Sequence, residues 1–75
     1  MTKEQALQLK KGDIVQATED VWDSRQDVYV QMGEDFEIEA VYRNNLILKP
    51  IDIVKFETDR IILPADKFEK VELIE

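Results

Sequence analysis

The sequence predicts an all-β domain, a small closed barrel of five to six short strands preceded by a short N-terminal helix. Short apolar runs, alternating or continuous, recur from residue 14 to residue 74, and turn residues separate them at close spacing. This pattern favours a small barrel over a two-layer α/β fold. The 75 residues suffice for one domain only, and the apolar fraction of 44% is ordinary for a globular chain. Closure would also remove the exposed edges that an apolar strand such as 61–63 presents.

Residues 1–11 predict a short helix that docks on the barrel. Thr2-Lys3-Glu4-Gln5 has the S/T-x-x-E/Q form of a capping box, and good helix formers follow it. Gly12 is expected to end the helix. Because so short a helix is unstable alone, Leu7 or Leu9 must pack on the barrel.

Strand character recurs along the rest of the chain. The segment Glu19–Met32 is predicted to be a long polar loop, in which Val28–Gln31 can form a short strand. Turns are expected at Gly33, at Asn44-Asn45 and at Thr58-Asp59. The other predicted elements are strands at Ile14–Thr18, Phe36–Tyr42, Leu46–Leu48, Ile51–Phe56, Arg60–Leu63 and Phe68–Ile74, a break at Pro50 and a single helical turn at Pro64–Lys67.

The clearest strand is Phe36–Tyr42, because its apolar and charged residues alternate. The even-numbered residues share one face, so Tyr42 is expected in the core. Glu37 and Glu39 point the other way. With the carboxylates at positions 34–35 they form either a negative stripe for a basic partner or a solvated strand face.

The net charge of −7 is concentrated in one segment. Residues 13–40 carry nine carboxylates against Arg25 alone, a net charge of −8. Phosphate binding requires clustered Lys and Arg, so direct binding to nucleic acid or to an anionic membrane is not expected. The excess charge is compatible with a basic protein partner or with solubility alone. No run approaches the roughly 20 apolar residues of a membrane span, and residues 1–12 are mostly polar, so a cytoplasmic protein is the default expectation.

The residue types that most catalytic and metal sites need are missing. The chain has no histidine and no cysteine, which removes the commonest general base, the thiol nucleophile and the zinc–thiolate site. Ser24 is the only serine, and two glycines cannot build a phosphate-cradling loop. Two carboxylates can pair as acid and base, but so short a chain has little room for a deep cleft. Neither an enzymatic activity nor a cofactor is expected.

Three aspartates in the 19–32 segment raise the question of a calcium site. Asp20, Asp23 and Asp27 offer the carboxylate oxygens that hard cations prefer. Their spacing is not that of D-x-[DN]-x-[DN]-G, and no following glycine shapes the loop. Solvated loop carboxylates are the simpler interpretation, so no metal site is predicted.

Trp22 is the leading candidate for contact with a partner. It lies between Asp20 and Asp23, and an aromatic side chain rimmed by polar groups is typical of interaction hot spots. The alternative is a tryptophan folded back over one end of the barrel. Tyr29 is a second candidate of the same kind. The predicted binding residues are therefore Trp22, Asp20, Asp23, Tyr29, Glu37 and Glu39.

Several stretches of the chain resemble the SH3-like β-barrels. Leu9–Val15 is similar to their L-x-x-G-D-x-V opening, and Gly33–Ile38 fits their Gly-x-x-Phe-x-Val approach to the second strand. Leu63–Glu72 is similar to their closing element, where a proline and a single 3₁₀ turn lead into the last strand. The resemblance implies a barrel in which residues 19–32 form the long loop after the first strand. In the family that loop borders the peptide groove.

The likeness is closer to bacterial and phage SH3-like barrels than to eukaryotic SH3 domains. The chain has no A-L-Y-D-Y-like aromatic run before the long loop and no Trp-Trp pair after the second strand. Its closing turn, P-x-x-x-F, is one residue longer than the eukaryotic P-x-x-Y. Function does not follow from such a fold.

Two functions of different classes fit these observations. The first is a non-enzymatic protein-binding module or small assembly subunit, which recognises its partner through the 19–32 loop and the acidic surface. The second is an acidic mimic of nucleic acid that inhibits a basic nucleic-acid-binding protein. A homodimer is compatible with either, because so small a core gains from extra burial.

Overall fold

The computed structural model describes residues 1–51, 56 and 58–71 of the chain. It confirms an all-β domain with antiparallel sheets and one short helix. The elements in this part of the chain are α1 (Lys3–Leu7), β1 (Ile14–Ala17), β2 (Val21–Asp23), β3 (Val28–Val30), β4 (Asp35–Tyr42), β5 (Asn45–Pro50), β6 (Ile61–Pro64), a 3₁₀ turn (Ala65–Lys67) and β7 (Phe68–Lys70). Most of the strand predicted at Ile51–Phe56, and the end of the last predicted strand beyond Val71, lie outside the described residues.

The predicted closed barrel is wrong for the part of the chain that the structure describes. One sheet has five antiparallel strands in the order β6-β5-β4-β1-β7, and the other is the hairpin β2-β3. The five-stranded sheet is open, with β6 and β7 as its two edges. The chain passes from β6 to β7 through the 3₁₀ turn. Strand β7 then pairs with β1, so it lies at the opposite edge of the sheet from β6.

This connection requires a strongly coiled sheet. In a flat sheet, strands spaced by about 4.8 Å would place the outer two of five strands about 19 Å apart. Three residues of 3₁₀ helix advance only about 6 Å, yet Ala65–Lys67 alone joins the two edge strands. The sheet therefore curls until its edges approach, which gives it the curvature of a barrel, with no paired seam among the described strands.

The concave face of this sheet carries the core. Phe36 is fully buried at its centre, with its ring centroid 5.4 Å from that of Phe56 and 5.9 Å from that of Phe68. Aromatic rings at these separations interact favourably beyond the area that they bury. The buried core residues are Ala6, Val15, Ala17, Val21, Val28, Val30, Phe36, Ile38, Leu46, Leu48, Phe56, Ile61, Leu63, Ala65 and Phe68.

The N-terminal helix forms as predicted, although it is shorter. The capping box is confirmed: the Thr2 hydroxyl accepts from the Gln5 backbone N–H at 3.1 Å, and the Gln5 side chain accepts from the Thr2 N–H at 2.9 Å. Ala6 of the helix is buried, and Leu9 packs partly against the core, whereas Leu7 is 62% exposed. The helix ends at Leu7, and Gly12 instead serves a turn before β1.

A β-bulge reverses the faces of β4 near its end. The pairing of β4 with β5 shifts register between Ile38 and Ala40. An extra residue on one strand exchanges the inward and outward positions beyond it. Val41 therefore packs against the core and Tyr42 is 60% exposed, so the prediction that Tyr42 lies in the core is wrong.

The turn after β4 is displaced by one residue from the predicted Asn44-Asn45. It consists of Arg43 and Asn44, while Asn45 already pairs with Tyr42 as the first residue of β5. Arg43 has the positive φ, 56°, and its guanidinium carbon lies 5.3 Å from the centroid of the Tyr42 ring. A cation over an aromatic face is attracted to it, which favours this position of the arginine.

The bulge can be tested with one charge at two neighbouring positions. We expect Val41→Asp to lower the free energy of unfolding by about 2 kcal/mol or more, because it places a carboxylate against the core. Tyr42→Asp should cost less than about 1 kcal/mol, since the side chain is exposed and only strand propensity and the contact with Arg43 are lost. Urea denaturation measures both. The opposite order of the two variants would show that β4 has no bulge.

Candidate functional site

The predicted long loop contains a two-stranded hairpin. Strands β2 and β3 pair with the register Val21↔Val30, Trp22↔Tyr29 and Asp23↔Val28. A strand at 28–31 was among the expectations, but its partner at 21–23 was not. The missed signal was the β-propensity of Val21-Trp22 beside the four polar residues 24–27, which are suited to a turn.

The two faces of this hairpin have opposite environments. Val21, Val28 and Val30 are buried in the common core, and each residue is at most 8% exposed. Trp22 is 61% exposed and Tyr29 is 45% exposed. Because successive side chains of a strand point to opposite faces, burial of the three valines directs both aromatic rings outward.

Trp22 and Tyr29 form one aromatic surface. They are direct cross-strand partners, and their ring centroids lie 6.5 Å apart with the planes tilted by 48°. This separation is within the range in which aromatic pairs stabilise one another, and cross-strand pairs of this type support the strands that carry them. The two rings are therefore exposed side by side, in one defined arrangement.

The loop at the tip of the hairpin is organised by Asp23. Its Oδ1 accepts hydrogen bonds from the backbone N–H of Arg25 at 2.9 Å and of Gln26 at 3.2 Å, and its Oδ2 accepts from Gln26 Nε2 at 3.1 Å. The hydrogen bond from the Gln26 side chain, followed by those from the backbone, lowers the pKa of the Asp23 carboxyl below its ordinary 3.8. The Asp23 carboxylate therefore stabilises the conformation of the hairpin loop.

Gln26 connects this loop to the edge of the five-stranded sheet. Its Nε2 donates to the carbonyl oxygen of Ile62 at 2.7 Å, and its Oε1 accepts from the Ile62 N–H at 2.8 Å. Sequence reasoning missed Gln26, because nothing local distinguishes it from any polar loop residue and its partner is 36 positions away. The hairpin tip is therefore tied to β6 as well as to the core.

Two further interactions hold the base of the hairpin. Asp20 Oδ1 accepts from the backbone N–H of Met32 at 2.8 Å, which connects the two ends of the hairpin. Lys67 Nζ and Glu19 Oε1 form an exposed ion pair at 2.5 Å. The hydrogen bond that Lys67 donates to Glu19, together with the negative charge of Glu19, raises the pKa of Lys67. Asp20, like Asp23, thus combines a negative charge with a structural hydrogen bond.

The remaining predicted binding residues lie on the other sheet. Glu37 and Glu39 are half-buried on β4, and the register places Lys49 of β5 directly opposite Glu37. Asp35 Oδ1 accepts from Gln16 Nε2 at 3.1 Å. The structure brings Trp22 and Tyr29 together, with Asp20 and Asp23 in the same hairpin, and places the two glutamates in the separate five-stranded sheet.

The described residues contain no group of three or more carboxylates that could hold a metal ion. Asp20 and Asp23 have backbone N–H partners instead, as the two hydrogen-bond networks of the hairpin show. Within the same part of the chain, no helix has the length and apolar character needed to cross a membrane.

No family model, no curated protein and no solved structure matches the chain. The small antiparallel all-β architecture is compatible with an SH3-like fold, but a fold alone does not assign a function. The assignment therefore depends on the hairpin, its exposed rings and the charges beside them.

The pKa of Asp23 gives a testable pH dependence. A carboxyl whose pKa is lower in the folded state stabilises that state fully above its unfolded value, and the contribution disappears as the pH falls through the folded value. We expect the Gln26 side-chain amide signals in NMR spectra to shift only below about pH 3.8, with the Asp23 carboxyl. Asp23→Asn should abolish this transition, and a midpoint at or above pH 3.8 would contradict the hydrogen-bond network.

Proposed function

We propose that this chain is a non-enzymatic protein-binding module, with an SH3-like arrangement of strands, that uses the outer face of the β2–β3 hairpin to bind a basic partner. One observation carries the proposal. Trp22 and Tyr29 are exposed together on a hairpin whose opposite face is buried in the core. Large aromatic side chains in this setting are the residues that most often dominate the energy of protein interfaces.

The rigidity of the hairpin favours binding. Valine burial, the Gln26–Ile62 hydrogen bonds and the Asp20–Met32 hydrogen bond position the rings before a partner arrives. A partner then loses little free energy in ordering them, because aromatic rings have few rotatable bonds and the backbone is already fixed. Covering the exposed part of each ring would contribute roughly 2–3 kcal/mol from apolar burial before those costs.

The charge around the rings favours a basic partner. The segment Glu19–Met32, which contains the whole hairpin, carries four carboxylates against Arg25 alone, a net charge of −3. Such a field attracts Lys and Arg and raises the association rate with a positively charged surface. Lys and Arg side chains also stack on the faces of Trp and Tyr, so the charge and the rings both favour a partner surface rich in Lys and Arg.

The resemblance to SH3-like barrels supports a binding role for this segment. The hairpin occupies the chain between β1 and β4, where the resemblance implies the long loop that borders the peptide groove. The 3₁₀ turn at Ala65–Lys67 leads directly into β7, as in the closing element of that family. Both features support the proposal of an SH3-like arrangement of strands.

The alternative proposal is an acidic mimic of nucleic acid. The carboxylates of β4 favour it, because Asp35, Glu37 and Glu39 follow one strand at close spacing. Lys49 opposite Glu37 and the hydrogen bond from Gln16 to Asp35 reduce the negative potential there. The aromatic surface has no place in a mimic of phosphates, so the protein-binding module remains the first proposal.

Affinity capture from a lysate of the source organism tests the first proposal. We expect Trp22→Ala and Tyr29→Ala each to weaken capture of the same partner at least tenfold, which corresponds to about 1.4 kcal/mol of binding free energy. Tyr42→Ala is the matched control, since Tyr42 is equally exposed but lies on β4. The far-UV circular dichroism of all three variants should equal that of the wild type. A partner retained by both hairpin variants would contradict the proposal.

Competition by DNA separates the two proposals. A nucleic-acid mimic competes with DNA for its partner, and the complex weakens steeply as salt rises. For a protein-binding module, we expect added duplex DNA to leave capture of the partner unchanged. The double variant Glu37→Gln/Glu39→Gln should also have little effect on capture. Displacement of the partner by DNA, with loss of capture in the double glutamine variant, would favour the mimic instead.

A further inference from the structure

The outer edge of β6 is the sheet edge nearest the hairpin tip. Ile61 and Leu63 are in register with β5, and the Ala65 N–H donates to Asn44 on the same side. Backbone groups of successive strand residues point alternately to the two neighbours of a strand. The N–H and C=O groups of Ile62 therefore face away from β5, where a further strand would pair.

Gln26 satisfies these outward groups in the manner of a peptide. Its carboxamide donates to the Ile62 oxygen and accepts from the Ile62 N–H, at 2.7 and 2.8 Å. This is the pair of bonds that one residue of an adjacent antiparallel strand would exchange with Ile62. Asp23 Oδ2 accepts the second amide hydrogen at 3.1 Å, which fixes the orientation of the carboxamide.

The neighbouring outward positions of β6 are covered as well. The Thr58 hydroxyl donates to the Arg60 carbonyl oxygen at 3.0 Å and accepts from the Arg60 backbone N–H at 3.3 Å. Pro64 has no N–H to offer. Side chains and a proline thus block three consecutive outward positions, as natural proteins do at edges that would otherwise pair with another chain.

We infer that Gln26 caps the outer edge of β6 and thereby keeps this chain monomeric, because the uncapped edge would pair with the same edge of a second copy. This inference does not rest on the proposed function. Antiparallel pairing about Ile62 places Ile62 against its own copy and Arg60 against Pro64, so no like charges oppose one another. The Ile62 side chain is 44% exposed, and its burial against its copy adds apolar contact.

The decisive variant is Gln26→Ala, measured by sedimentation equilibrium over a range of protein concentrations. We expect the wild type to remain monomeric and the variant to approach twice the monomer mass as concentration rises. Gln31→Ala is the matched control, because Gln31 is an exposed glutamine immediately after β3. In the Gln26→Ala background, Ile62→Lys should restore the monomer, since pairing would oppose two lysines directly.

Three results would overturn the inference. They are a Gln26→Ala variant that stays monomeric at every concentration, a wild type that dimerises equally, and a dimer that Ile62→Lys does not disrupt. If Gln26→Ala does not fold, amide hydrogen exchange of the wild type decides. Slow exchange of the Ile62 N–H would support the closed edge, whereas exchange as fast as in an unstructured peptide would refute it.

Discussion

The two-residue period of the β2–β3 hairpin is the constraint on which this structure and its proposed function depend. Burial of Val21, Val28 and Val30 contributes to the core, and the same geometry leaves Trp22 and Tyr29 no inward position. Stability and display are therefore coupled: the apolar contacts that hold the hairpin also hold the aromatic surface. An aromatic pair exposed for this reason is fixed in place, which distinguishes it from exposed residues on a free loop.

The hairpin is held at its tip by side-chain chemistry rather than by a paired strand. The 3₁₀ turn connects the two ends of the curled five-stranded sheet, and β6 and β7 are its edges among the described strands. Gln26 covers the β6 edge with a carboxamide, and the Met1 ammonium group donates to the Phe68 carbonyl oxygen of β7 at 2.9 Å. Each edge thus has a partner from elsewhere in the chain. The loop at the hairpin tip therefore has two roles. It covers the β6 edge through Gln26, and it holds in place the hairpin that carries the aromatic surface.

Structural features that depend on neighbouring residues were predicted from the sequence, whereas features that depend on residues distant in the chain were not. The capping box at Thr2 and Gln5 and the 3₁₀ turn after Pro64 depend on neighbouring residues, and both are confirmed. The bulge beyond Ile38 was not predictable, because alternation in β4 looks continuous and only the register with β5 reveals the shift. Gln26 was equally hidden, since its role depends on a β6 backbone that the sequence cannot place beside it. Trp22 was identifiable from its polar neighbours, but its exposure required knowledge of the partner strand β3.

The central claim is that the Trp22 ring is exposed in the free protein and becomes the contact surface in the complex. Trp22 is the only tryptophan of the chain, so collisional quenching of its fluorescence reports this one ring. In the free protein we expect efficient quenching, with cationic caesium more effective than anionic iodide because of the acidic surroundings. A captured partner without tryptophan should shield the ring and reduce quenching by both ions. Equal quenching in the free and bound protein would contradict the account, because it would place the partner away from the hairpin face.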